Sequence, residues 1–139
     1  MITRNLDEYK LSTTKQAITS FAGLPLLLGM ARSLGLEEKL NALPLKKRER
    51  GYSPAETTFT LMGLLQAGGV ALDDVSLLQG DQGIFELLGE LPAANTLGEY
   101  LRRYSGKTVY RLGQIKLRAA AKVIRACKMK SVTLDVDAF

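Results

Sequence analysis

The sequence predicts a mainly α-helical, bundle-like domain followed by a single C-terminal β-strand. Three observations predict it. Helix-start signals stand at Ser53-Pro54-Ala55-Glu56 and Thr96-Leu97-Gly98-Glu99, each ahead of apolar residues. From Ser105 to Met129 the apolar and cationic residues recur with a helical period. The final stretch, Ser131-Val132-Thr133-Leu134-Asp135-Val136-Asp137-Ala138-Phe139, alternates with period two. A length of 139 residues with 46% hydrophobic content suits one modest core. Three units follow: residues 1–20, polar and loosely ordered; 21–130, helical; and 131–139, the strand.

Gly23-Leu24-Pro25 opens the first helix, with proline near the first turn, where a missing N–H is harmless. Gly35 closes it as a C′ residue, and a short turn runs from Glu37 to Leu43. Lys46-Lys47-Arg48-Glu49-Arg50-Gly51 is a basic loop, read either as a solvated connector or as a phosphate-contacting arm. The helix started by Ser53 and Pro54 runs to Gly68-Gly69. It is apolar nearly all round, which makes it the central buried helix. Asp73 or Asp74 caps the next short helix, with Val75, Leu77 and Leu78 facing inward. Asp81 caps a turn through Phe85, Leu87 and Leu88 that ends at Gly89. The Thr96 capping box starts a helix reaching about Tyr104 and carrying Arg102 and Arg103. Short helices in this arrangement form a helix-turn-helix in some proteins and an ordinary helical domain in many.

Charge is distributed unevenly. Residues 1–99 hold nine Lys/Arg and twelve Asp/Glu, whereas residues 100–130 hold ten Lys/Arg and no acid. On a helix at ~100° per residue, Lys107, Arg111, Arg118, Lys122 and Arg125 share a stripe roughly 60° wide. Val109, Leu112, Ala120, Val123, Ile124 and Cys127 fall on the opposite side and form the expected packing face, with Cys127 as a small core residue. Lys116 lands among them and is expected to snorkel. A cationic row of this size suits double-stranded nucleic acid, where neutralised phosphates release counterions. A membrane surface is a weaker rival, because such helices carry large apolar residues on their other face. An acidic protein partner is a third candidate, and on charge count alone a solvated face explains the row equally well. Few aromatics argue against single-strand binding by base stacking.

No apolar run reaches the ~18 residues of a membrane span, and Asp7, Glu8 and Lys10 interrupt any N-terminal signal sequence, so the expected location is cytoplasmic. Histidine is absent and Cys127 is the only cysteine. That composition excludes an intrachain disulfide, a Cys/His zinc site and any His-dependent nucleophile triad. Asp135 and Asp137 project from the same face of the terminal strand. A strand that holds two carboxylates so is one way to present a ligand to Mg²⁺ beside phosphate oxygens, and also an ordinary way to protect an edge.

The order of these features resembles the N-terminal part of bacterial insertion-sequence transposases of the DDE type. The stretches that carry the resemblance begin with Thr19 to Leu27 and Ala31 to Leu36. Leu45 to Arg48 and Arg50 to Glu56 follow, then Gly68-Gly69 with Leu72-Asp73-Asp74. Leu91-Pro92 with Asn95 to Arg103, and Thr133 to Ala138, complete the series. The resemblance implies a helical domain that binds the terminal inverted repeats of a mobile element. It further implies that residues 131–139 begin a ribonuclease-H-like catalytic domain using Mg²⁺. Asp137 is then the first choice for the first catalytic, metal-holding aspartate, since it precedes the Ala-Thr-like position, and Asp135 is the second. Phe139 departs from the family, which carries Thr there. On this reading the chain is a fragment, inactive by itself and without metal of its own. A helical module that pairs copies of the chain, its basic face merely solvated, is the alternative.

Overall fold

The computed structural model describes residues 15–45 and 51–133. Seven α-helices lie within them: α1 (Gly23–Ser33), α2 (Leu36–Asn41), α3 (Pro54–Gln66), α4 (Val75–Gln79), α5 (Gln82–Leu88), α6 (Ala94–Arg102) and α7 (Gly106–Ala126). A 3₁₀ turn, Leu72–Asp74, leads into α4. The mainly helical class read from the sequence holds, and the described residues contain no strand. Val132 and Thr133 have no regular structure, and Leu134 to Phe139, with Asp135 and Asp137, lie outside the described residues. So does the basic loop from Lys46 to Arg50.

The start of α3 follows the sequence reading. The Ser53 side chain accepts from the Glu56 N–H at 3.2 Å, and the Glu56 carboxylate accepts from the Ser53 N–H at 2.7 Å. Pro54 occupies the first turn. Ala55, Thr57, Phe59, Thr60, Gly63 and Leu64 are buried along the helix, as a central element requires. Two of those six are threonines, and each disposes of its hydroxyl locally. Thr57 donates to Ser53 O and Thr60 to Glu56 O, both at 2.9 Å, so neither leaves an unpaired polar group in the core.

Leu24, Leu28, Leu40, Leu64, Leu78, Ile84 and Tyr100 bring α1 to α6 into one core around α3. Two glycines have structural reasons. Gly35 sits at φ +69° between α1 and α2, the left-handed conformation that ends a helix cheaply only with glycine. At Gly83 a Cβ would stand 2.8 Å from Thr19 Cβ and 2.9 Å from its backbone N, so only glycine permits that approach. There Asp81 gathers the chain: one carboxylate oxygen accepts from Thr19 Oγ1 and Ser20 N, the other from Ile84 N.

Several local expectations need correction. The Glu37–Leu43 turn contains a true helix, α2. Asp74 stands at the N-cap position of α4 but makes no side-chain cap bond there; its carboxylate accepts from Ala71 N and Val70 N, 2.9 and 2.8 Å away, and these bonds hold its pKa below the usual carboxylate value. Helix α6 begins at Ala94, two residues before Thr96, and no side chain caps it. Pro92 and the extended Ala93 already set the chain for helix entry there. In α4, Val75 and Leu78 face inward as expected, while Leu77 is 56% exposed; in α5 Ile84 is the buried residue and Phe85 is exposed. Single-turn helices give too few residues for a period to fix their roll.

The Leu77/Leu78 pair gives a direct test of this packing. Leu78→Ala should cost about 2–5 kcal/mol and Leu77→Ala no more than about 0.5 kcal/mol, read from urea midpoints. Equal costs would place α4 in the wrong rotation.

Candidate nucleic-acid interface

Helix α7 is the longest element, at 21 residues, and Ser105 starts it by accepting from the Thr108 N–H at 3.3 Å. Thr108 is fully buried, shares a hydrogen bond with Ser105 Oγ and donates to Pro44 O at 3.5 Å. That first turn therefore pins α7 to the segment leaving α2. Leu112 and Ile115 extend the contact to the core, and α7 packs on α2. At the far end Lys128 adopts a left-handed conformation, and Lys128 N and Met129 N donate to Arg125 O and Ile124 O. These two bonds close the helix as a glycine would.

The roll of α7 differs from the sequence expectation by about a quarter turn. The packing side runs through Thr108, Leu112, Ile115 and Ala119, not through the arc centred on Val109 and Cys127. Val109 is 57% exposed, Ala120 is exposed, and Cys127 is a free exposed thiol, not a core residue. Lys116 is exposed as well. On this side buried Thr108 and the core-packed Leu112 and Ile115 fall in one line along the helix, so a polar residue shares the inward face. Periodicity weighs apolar residues alone and misses such a residue.

This roll places the cationic stripe beside the packing face, not opposite it. Lys107, Arg111, Arg118, Lys122 and Arg125 are all exposed along about 27 Å of helix. Among the described residues none of the five has an ion-pair partner. Between α2 and α7 the stripe borders a groove of about 500 Å³, lined by Lys39, Ala42, Leu43, Tyr110, Arg111, Gln114, Ile115 and Arg118. Lys39 was not among the residues read as functional. Its own segment, Leu36-Glu37-Glu38-Lys39, is locally acidic, and only the α2–α7 packing brings its ammonium to the stripe.

One oxygen ties the two helices electrostatically. Leu34 O, at the C-terminal end of α1, accepts from Lys39 Nζ at 3.2 Å and from Lys122 Nζ at 3.4 Å. The carbonyl end of a helix attracts cations, so it draws two like charges together.

Arg102 and Arg103 belong to the end of α6. Arg102 is exposed at the end of α6. Arg103 lies 6.0 Å over the Tyr100 ring and lines a separate cleft with Asn41, Tyr52, Ser53 and Glu56. Tyr100 in turn donates to Pro54 O at 3.2 Å and shares hydrogen bonds with Thr58 and Tyr104; burial pushes its hydroxyl pKa well above the ordinary tyrosine value. Arg103 thus belongs to the α3–α6 contact.

Asp135 and Asp137, on which the resemblance places Mg²⁺, lie outside the described residues. Among the described residues no three His, Cys, Asp or Glu side chains come together, and no helix is long and apolar enough to cross a membrane. Comparison with protein families, curated proteins and solved structures gives no match.

The packing predicts a gradient along α7. The buried residue of α7, Thr108, and the two packed on the core, Leu112 and Ile115, lie in the half before Leu117, which is itself 60% exposed. Amide hydrogens from Ala120 to Ala126 should exchange at least ten times faster than those from Leu112 to Ile115. Uniform protection along the helix would mean that something covers its second half.

Proposed function

We propose that this chain binds double-stranded DNA through its phosphate backbone, using the cationic stripe of α7 and the groove beside it. The observation that carries the reading is the convergence of Lys39 with Arg111 and Arg118 on one groove, flanked by further exposed cations without ion-pair partners among the described residues. A merely solvated face gains nothing from recruiting a cation out of an acidic turn on another helix. The order of sequence motifs supports a narrower proposal: a DNA-binding domain of the DDE-transposase kind, reading terminal inverted repeats. In that proposal Asp137, then Asp135, is the first metal-holding aspartate.

Five phosphate contacts give a salt slope of about −4 to −5 in log Kobs against log salt. Arg118→Glu with Lys122→Glu should weaken binding to all duplex sequences alike and flatten that slope by about two. Fluorescence anisotropy with two unrelated duplexes at several salt concentrations reads both effects. Unchanged binding by the doubly reversed variant would remove α7 as the contact surface.

A second reading, pairing of two copies through α7, is favoured by one observation. Val109, Tyr110 and Leu117 are 57%, 69% and 60% exposed, and with Gly113, Ala120 and Ile124 they form an uncharged arc about 100° wide. The arc lies away from the stripe, so a second copy seated there leaves both cationic rows outermost, where repulsion is least. Sedimentation should show a concentration-dependent dimer that Leu117→Glu abolishes; a monomer at all concentrations would end this reading.

A further inference from the structure

We propose that the groove between α2 and α7 is a discrete seat for one phosphate group, held by Lys39, Arg111 and Arg118. It deepens the DNA reading by naming where a backbone phosphate sits, and rests on that reading only in assigning the phosphate to a duplex.

Three observations carry the seat. Its cations come from two different helices, so tertiary packing, not helical period, assembles them. Among the described residues no carboxylate lines the groove and none of the three cations is ion-paired. Lys39 and Lys122 crowd on the single oxygen of Leu34, a neutral carbonyl. Two ammonium groups at one carbonyl repel each other, and an anion placed between Lys39 and the α7 arginines relieves that repulsion. The chemistry of the walls selects the anion. Two guanidinium forks match the oxygens of a phosphate. Gln114 and Tyr110 add neutral hydrogen-bonding groups at the same groove. Ala42, Leu43 and Ile115 supply apolar wall, which strengthens the attraction relative to open water. A volume of about 500 Å³ exceeds what a free phosphate needs and leaves room for flanking sugars.

The probe is inorganic phosphate, titrated into the full chain at constant ionic strength and followed by amide chemical shifts, with acetate as the control anion. The seat predicts saturable shifts at Lys39, Ala42, Arg111, Gln114 and Arg118, with half-saturation at about tenfold lower concentration than for acetate. Lys39→Gln with Arg118→Gln should abolish them, while Lys116→Gln, on another side of α7, should retain them. An unchanged dispersion of the spectrum shows that the double variant folds. Shifts spread evenly over Lys107, Lys116 and Arg125, an equal response to acetate, or a normal response from the double variant would each overturn the seat. Duplex binding separates the two claims. If phosphate fills the groove and the double variant loses duplex affinity about tenfold or more, the seat takes backbone phosphate. If phosphate fills it but duplex does not bind, the seat stands for a free phosphate group and the DNA reading fails. If duplex binds and phosphate leaves the groove unmoved, the seat fails and the DNA reading stands.

Discussion

The fold depends on α3 being able to sit at its centre. A helix surrounded by α1, α2, α4 and α6 must bury residues on most sides. Thr57 and Thr60 would each lose a buried hydroxyl's hydration, at about 1–3 kcal/mol, without their bonds to the carbonyls one turn back. The same constraint governs the start of α3, where the first N–H groups lack helical partners. Ser53 serves Glu56, and the Asn41 side chain, arriving from the end of α2, accepts from Ala55 N at 3.0 Å. Capping of the central helix is thus shared between its own sequence and a neighbouring helix.

That shared cap links the core to the surface. Asn41 fixes the end of α2 on α3, and Lys39, two residues earlier, is thereby fixed in space. Pro44 O, three residues after Asn41, receives the Thr108 hydroxyl and positions α7. Three residues of one short segment, Lys39, Asn41 and Pro44, therefore place a cation, hold the core helix and anchor the basic helix. A shift of α2 moves all three together.

Sequence made legible what is local and hid what is tertiary. The Ser53 capping box, the Gly35 stop, the Asp81 cap and the Ser105 start of the long helix are each written in a few neighbouring residues, and each stands in the fold. The cationic stripe was legible because five residues on one long helix share an angle whatever packs against it. The helix roll was not legible, because the packed side combines Leu112 and Ile115 with a buried threonine that an apolar count leaves out. Lys39 was hidden for a stronger reason. No property of Leu36-Glu37-Glu38-Lys39 distinguishes it from a solvated turn, and its role exists only after α2 and α7 meet. Arg103 is a different case: charge and proximity in sequence group it with the stripe, while in the fold it lies over the Tyr100 ring and lines the cleft beside Ser53.

The charge pattern of α7 works against the helix that carries it. Lys107 stands in the first turn, beside the positive end of the helix dipole, where an acid stabilises and a base does not. Lys107 with Arg111, and Arg118 with Lys122, are like charges four residues apart, each pair costing about 0.2–0.5 kcal/mol. A glutamate at any one of these positions would turn the penalty into a gain of similar size, yet residues 100–130 contain no acid. The helix is sustained instead by Ala119-Ala120-Ala121, residues of the highest helix propensity, and by its cap and anchor at Ser105 and Thr108. Stability is drawn from propensity and from one end, so that every charged position in the remainder can be a cation. A helix selected only to be soluble mixes its signs, because mixed charges serve solubility and stability together. The single sign, kept at a local cost along five exposed positions and joined by a cation from another helix, is the pattern that the proposed phosphate contact would use.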